Sequence, residues 1–291
     1  MPEGYDLRMP KTPKLVRALN SPPVVIAVAM RKGGVGKTTT AVNLSYELAQ
    51  LHVFDEAEDQ TRPIRVLLID MDPQGNATTG LGLQIPPDGD PTPTMFNVLH
   101  PEKHRRVPLN DVIQGTDYGV DVAPSREALD ELDKGLGPGG QMRLRREVEA
   151  LPAYDFIIID CRPTLNELAS AALSAATWVL ATVGTGPDEV GALASLDAAV
   201  ENVDLNNPGI KITHVLLTNY MSGSRATKAI RRAIEEAWPK EYLGSISRTV
   251  RVTEAKAHSQ PISVYDPNCT AAEDYQRVAL RIAEEGLITN G

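Results

Sequence analysis

The sequence has little cysteine: two residues among 291, Cys161 and Cys269. They stand too far apart to form a C-x-x-C metal or redox motif, so both are expected to be reduced and structural. Long hydrophobic runs are also lacking. The most apolar long stretch, Leu168 to Val183, is rich in Ala, Ser and Thr and falls short of the ~20 residues a membrane span requires. Near Met1 there is no apolar core of the kind a secretory signal carries, and a cytoplasmic protein is expected. An excess of positive charge is missing as well. With 29 Lys and Arg against 38 Asp and Glu, the net charge is −9. That argues against a coat of basic surface for nucleic acid and leaves room only for a local basic patch.

What is present is an ordinary globular composition, 42% hydrophobic and 23% charged, long enough to bury a large core. Residues 1–22 carry scattered prolines and Arg and Lys with no apolar period, which predicts a flexible N-terminal arm. Residues 23–291 are expected to form a single domain. Val24 to Met30 is a continuous apolar run of strand length that leads into a glycine-rich turn, and Ala41, Leu44, Leu48 and Leu51 then recur at helical spacing. Similar runs follow at Val66–Ile69, Phe156–Ile159, Trp178–Leu180 and Val215–Leu217, separated by helical patterns such as Ile230, Ala233, Ile234 and Ala237, or Tyr275, Val278, Ala279 and Ile282. Strands without in–out alternation, separated by amphipathic helices, predict an α/β fold whose twisted, mainly parallel sheet is covered on both faces. The stretch from Gln84 to Val107, rich in Pro, Asp and Gly, reads as a loop with one short helix.

The turn after the first strand reads Arg31-Lys32-Gly33-Gly34-Val35-Gly36-Lys37-Thr38-Thr39. The ordinary phosphate-binding pattern G-x-x-x-x-G-K-[ST] fails by one residue, because Arg31 holds the place of its first glycine. A variant with a second lysine, x-K-G-G-x-G-K-[ST], fits. Glycines at 33, 34 and 36 allow positive φ and bring backbone N–H groups against phosphate oxygens, and the helix opening at Thr38 adds its dipole. Lys37 is expected at the β- and γ-phosphates and the Thr38 hydroxyl on Mg2+. The architecture is then that of a P-loop NTPase, a three-layer sandwich. Two acids, Asp70 and Asp72, follow the run Val66–Ile69, at the strand end where ligands of open parallel sheets bind. Asp160 closes the run Phe156–Ile159 in the Walker B arrangement, expected to hold Mg2+ through water.

With these motifs the chain resembles the deviant Walker A ATPases, and within them the ParA/Soj partition proteins, over about residues 24 to 285. The resemblance implies that Lys32 is the signature lysine reaching across an ATP-sandwich homodimer to the partner's phosphates. By the match of Asp70-Met71-Asp72-Pro73-Gln74-Gly75-Asn76 to D-x-D-P-Q-G-N, it implies that Asp72 orients the attacking water and that Asp70 supports the metal and switch region. Lys32, Lys37 and Asp72 are thus the expected catalytic residues, Lys32 to Thr39 with Asn219 the nucleotide contacts, and Thr38, Asp70 and Asp160 the metal residues. Weak intrinsic hydrolysis of ATP to ADP and phosphate follows from the same likeness.

The segment Ile246 to Ala255, with Tyr265-Asp266-Pro267, resembles the family's I-P-R-x-V-R-x-x-E-A followed by Y-D-P. Two departures stand out. Ser247 replaces the proline, which is expected to loosen a loop next to the adenine, and Arg162 interrupts the usual D-x-P-P after the Walker B acid, which is expected to alter that switch. ParA proteins bind non-specific DNA as ATP dimers through basic residues of this C-terminal third, and the matching positions are Arg225 and Arg251, with Lys228 and Arg248 nearby. Arg225, Lys228 and Arg232 fall on one face of a helix. The resemblance implies a ParB-like adaptor, a nucleoid-associated location and no membrane. A MinD-like membrane-cycling ATPase is disfavoured by the acidic, weakly apolar end Leu280 to Gly291. An electron-transfer iron protein would need cysteines placed to bridge an iron–sulfur cluster across the dimer, a pair that Cys161 and Cys269 do not supply. A metabolic ligase would lack both signature segments. Positioning of a cargo other than DNA is not separated from DNA partition by the sequence.

Overall fold

The computed structural model describes residues 14–290 apart from 20, 88, 152–153, 165, 187–188 and 204. Chain order opens with β1 (Lys14–Arg17) and β2 (Val24–Ala29), then α1 (Lys37–Gln50), β3 (His52–Asp55), β4 (Gln60–Pro63) and β5 (Val66–Asp70). Short helices α2 (Asn76–Gly80) and α3 (Met95–Leu99) precede β6 (Gln114–Gly115), β7 (Val120–Ala123), a 3-10 stretch over Glu127–Lys134, and α4 (Arg143–Glu149). The alternation then becomes regular: β8 (Phe156–Asp160), α5 (Glu167–Ala175), β9 (Trp178–Val183), α6 (Glu189–Glu201), β10 (Ile212–Tyr220), α7 (Arg225–Ala237) and β11 (Tyr242–Ser247). It ends with α8 (Val250–Ala257), α9 (Ile262–Tyr265), α10 (Thr270–Gly286) and β12 (Ile288–Asn290).

Eight strands form the main sheet in the order β11-β10-β9-β2-β8-β5-β7-β6, and every pairing is parallel except β6 with β7. Central strands are apolar because each face of the pleat meets a helical layer. Val25, Ala27 and Ala29 of β2 point to one core, which includes Leu168 and Leu173 of α5, Leu193 of α6 and Ile234 of α7. Ile26 and Val28 point to the other, with Leu44 of α1 and Tyr275 and Ile282 of α10. The five strands expected from the sequence all lie in this sheet, and the three-layer α/β architecture is as expected.

A second sheet of order β12-β1-β3-β4 is built from the two ends of the described chain and a hairpin. The 1–22 segment was expected to be an arm, yet its residues 14–17 form β1, with Leu15 and Val16 each 2% exposed. Their apolar side chains have a core to enter once β3 supplies a parallel partner. Residues 1–13 lie outside the described residues. The fully buried Asp155, just before β8, ties this sheet to the main one. It pairs with Arg17 at 2.9 Å and Arg62 at 2.6 Å, and accepts from the Arg65 N–H at 2.7 Å. The Gln84–Val107 stretch holds α3 and a short 3-10 turn at Lys103–Arg105.

Candidate nucleotide site

The phosphate loop joins β2 to α1 at the C-terminal edge of the sheet. Gly34 and Gly36 adopt φ of 75° and 78°, the left-handed region that favours glycine. Gly36 caps α1 without any side-chain acceptor, so the first-turn N–H groups are left for a ligand. A Cβ placed on Gly33 or Gly34 would meet nothing within 4 Å. The protein therefore does not crowd these positions, and their outer side is open to an anion. Lys37 is 6% exposed, with its Nζ donating to the Lys32 carbonyl at 3.0 Å. Burial lowers its pKa, against the raising fields of Asp160, Cys161 and Asp72. Lys37, Thr38, Thr39 and Asp72 line a cavity of about 330 Å3 that extends to Asn219, Ser247 and Tyr275.

The three acids divide into different duties. Asp70 and Asp160 are neighbours in register on β5 and β8, both fully buried. Asp70 spends its carboxylate on the turn that follows: Oδ2 accepts from the Thr78 N–H at 2.8 Å and hydroxyl at 2.7 Å, and Oδ1 from the Asp72 N–H at 3.1 Å. Burial pushes its pKa up to about 6 in spite of those bonds. Asp70, expected beside the metal, is in register with Asp160 and also holds the Asp72 loop through these bonds. Asp160 has both oxygens buried with no hydrogen-bond partner among the described residues, and the Thr38 hydroxyl lies beside it. Its pKa is driven well up by burial and by the charge of Asp70. A buried, unpartnered carboxylate beside a hydroxyl suits a hard cation that takes oxygen ligands. Asp72 reaches the cavity itself, its Oδ1 fixed by the Gln74 N–H at 3.1 Å.

Lys32 does not enter the cradle that Lys37 occupies. Its Nζ pairs with Glu189 Oε1 at 2.7 Å at the rim, with the lysine 37% exposed and the glutamate 2%. Glu189 is itself held by the Gly184 and Gly186 N–H groups at 3.2 and 3.1 Å. Neither Glu189 nor Thr218 was found by sequence reasoning. Thr218 donates to the Val35 carbonyl at 3.0 Å and so props the loop from β10. Asn219 follows it with φ of 57° and lies exposed at the cavity. Ser247 was expected to loosen the base-side loop. Its N–H, which proline would lack, donates to Asp274 Oδ2 at 2.7 Å and ties the end of β11 to α10.

The basic candidates share one end of the molecule unequally. Tyr220 and Ser247 are paired in register, and the Arg248 N–H donates to the Tyr220 carbonyl at 2.9 Å, which brings Arg248 to the turn that precedes α7. Arg225, Lys228 and Arg248 are exposed and make no ion pair among the described residues. Arg251, 51% exposed, is paired with Glu254 at 3.0 Å and Asp266 at 3.3 Å, so its charge is partly compensated. No described helix is long and apolar enough to cross a membrane.

A glycine cradle at a helix N-terminus, a buried lysine and an unpartnered strand-end acid define a P-loop nucleotide-binding protein. Residues 24–212 match the family model described as AAA domain. The chain is 36% identical over 271 residues to the sporulation initiation inhibitor protein Soj of Bacillus subtilis, covering 90% of this chain and 99% of that one. It is 34% identical over 266 residues to the chromosome partitioning protein ParA of Caulobacter vibrioides, covering 89% and 93%. Among solved structures, a cobyrinic acid a,c-diamide synthase from Mycobacterium smegmatis with bound ADP and magnesium superposes with a TM-score of 0.71 at 26% identity, covering 92% and 99%. The chain belongs to the ParA/Soj family of P-loop ATPases.

Proposed function

We propose that this chain is a partition ATPase whose ATP form is a nucleotide-sandwich homodimer that binds DNA without sequence preference, and whose hydrolysis, stimulated by a ParB-like adaptor, releases the DNA. The observation that carries this reading is the division of labour between two lysines. Lys37 fills the chain's own phosphate cradle, while Lys32 stands at the rim on Glu189. In this reading the cation held on Glu189 at the rim, outside the cradle that Lys37 occupies, is the one that turns to the nucleotide of a second copy.

In this reading Gly33 to Thr39 bind the phosphates of ATP, and Asn219 and Ser247 lie on the base side of the cavity. Asp160 and Thr38 would hold Mg2+, which when bound neutralises charge on the β- and γ-phosphates. Asp72 orients water for in-line attack, a task of positioning rather than covalent chemistry. Arg225, Lys228 and Arg248 would supply phosphate contacts. Doubling that patch in a dimer lets a protein of net charge −9 gain DNA affinity through released counterions. Arg251, neutralised in part by Glu254 and Asp266, is the weakest of the four in this role.

Fluorescence anisotropy of a labelled random duplex with Mg-ATP and with Mg-ADP tests the proposal. Tight binding with ATP alone is expected, weakened by Arg225→Ala and Arg248→Ala. Equal binding in the two nucleotide states would remove the DNA part and favour a cargo other than DNA.

A further inference from the structure

The loop that leaves the Walker B acid is held by a side chain of this sequence's own. Arg162, two residues beyond Asp160, is 20% exposed and pairs with Asp130 at 2.9 Å and, more closely, with Asp133, which is 17% exposed. Asp133 Oδ2 also accepts from Asn166, the residue that caps α5 by accepting from the Ala169 N–H at 3.3 Å. Both acids lie on the 3-10 stretch Glu127–Lys134. The next residue in the loop, Pro163, lines the nucleotide cavity.

That 3-10 stretch is anchored at its other end to the second carboxylate loop. The Ser125 N–H donates to Thr78 Oγ1 at 3.2 Å, and Thr78 Oγ1 donates to Asp70 Oδ2 at 2.7 Å. Asp70 in turn holds the Asp72 N–H. A continuous set of contacts therefore joins the Asp72 loop to the Asp160–Pro163 loop by a route outside the sheet. The pair is also under-used. Arg162 Nε and Asp133 Oδ1 are buried without partners among the described residues, so a guanidinium that could form two parallel bonds to this carboxylate is engaged through one nitrogen.

We propose that Arg162 is a positioning residue for ATP hydrolysis: by clamping to Asp133 it holds the metal-side acid Asp160 and the water-side acid Asp72 in one frame. The inference rests on the assignment of Asp160 and Asp72 given above. Displacing either loop by a fraction of an ångström removes alignment rather than affinity, so the loss is expected in kcat.

Steady-state ATPase kinetics of the full chain test this. Arg162→Ala and Asp133→Asn are each expected to lower kcat about tenfold while KM for ATP stays within about twofold. The double variant should lose no more than either single one. The exchanged pair Arg162→Asp with Asp133→Arg should recover most of kcat. Should Arg162→Ala fail to fold, Arg162→Lys, which keeps one charged donor, is expected to show an intermediate kcat. Unchanged kcat in the folded single variants, additive losses in the double variant, or an exchanged pair that recovers Tm without kcat would each overturn the proposal. Asp160→Asn is the separate control. Full turnover in that variant would remove the metal-side assignment itself, whatever Arg162 does.

Discussion

The requirement at Gly36 lies in its backbone. Its φ of 78° is unfavourable for any residue with a Cβ, by about 1–2 kcal/mol, although a Cβ there would meet the Thr218 side chain only at ordinary contact distance, 3.4 Å. Gly36→Ala is expected to lower ATP affinity by at least about tenfold, one factor of ten for each ~1.4 kcal/mol, with a smaller fall in Tm. Isothermal titration with a non-hydrolysed ATP analogue reads this, and wild-type affinity would contradict the loop geometry. The acids teach a related lesson. Asp70, Asp72 and Asp160 look alike in sequence as strand-end carboxylates. Burial and partners separate them into a scaffold, a cavity residue and an unpartnered oxygen pair. That sorting could not be read from spacing, because it depends on Thr78 folding back over β5.

At the scale of elements, legibility followed burial. β2, β5, β8, β9 and β10 are buried on both faces, so their apolar runs announce them. β11 contains Gly244 and three serine or tyrosine positions, and β7 carries Asp121 between valines; being at or near an edge, they meet less of the core and their sequences blend into loops. β1 stays hidden for a different reason: its partners β12 and β3 are remote in sequence, and the polar end of this small sheet is satisfied by the Asp155 cluster. Likewise Lys37, Thr38 and Asp160 stood in contiguous motifs, while Glu189 reaches Lys32 across 157 positions and Thr218 reaches Val35 across 183. Removing Asp155 would leave Arg17, 7% exposed, without the carboxylate it pairs with, while Arg62 would keep only Asp55. Asp155→Ala is expected to cost about 3–5 kcal/mol in chemical denaturation. A loss below about 1 kcal/mol would show that the small sheet docks without it.

The contact of β10 with α10 sets a pH response. His214 is 4% exposed, packed at a tilt against Trp178 with ring centroids 4.8 Å apart, and bonded to Glu285 at 2.9 Å and Thr213 at 2.9 Å. Burial lowers its pKa below the ordinary 6.5, opposed by Glu285 and reinforced by nearby Arg281. The unfolded chain therefore takes up this proton first. The stabilisation is present above about pH 6.5 and is lost as pH falls through the lower folded value. His214→Gln is expected to flatten the decline of Tm between about pH 7 and pH 5. An unchanged slope would assign that decline to other groups.

For the whole molecule, the sheet places every nucleotide-binding element on one edge and the Asp155-stapled sheet on the opposite one. In the proposed dimer the cavity edge is the face turned to the second copy, with Lys32 at its rim and the exposed basic residues at the ends of β10 and β11. The lysine pair gives this arrangement its direction. Under the proposed function, the Lys32 cation resting on Glu189 leaves that partner to serve another nucleotide, which would link the nucleotide state to the oligomeric state. The most direct measurement is the solution mass of Asp72→Ala protein with Mg-ATP, in the presence and absence of the further change Lys32→Ala. Twice the monomer mass for Asp72→Ala, and monomer mass for the double variant with its ATP still bound, is the result expected. Equal dimerisation by both proteins would contradict the role of Lys32 across the interface.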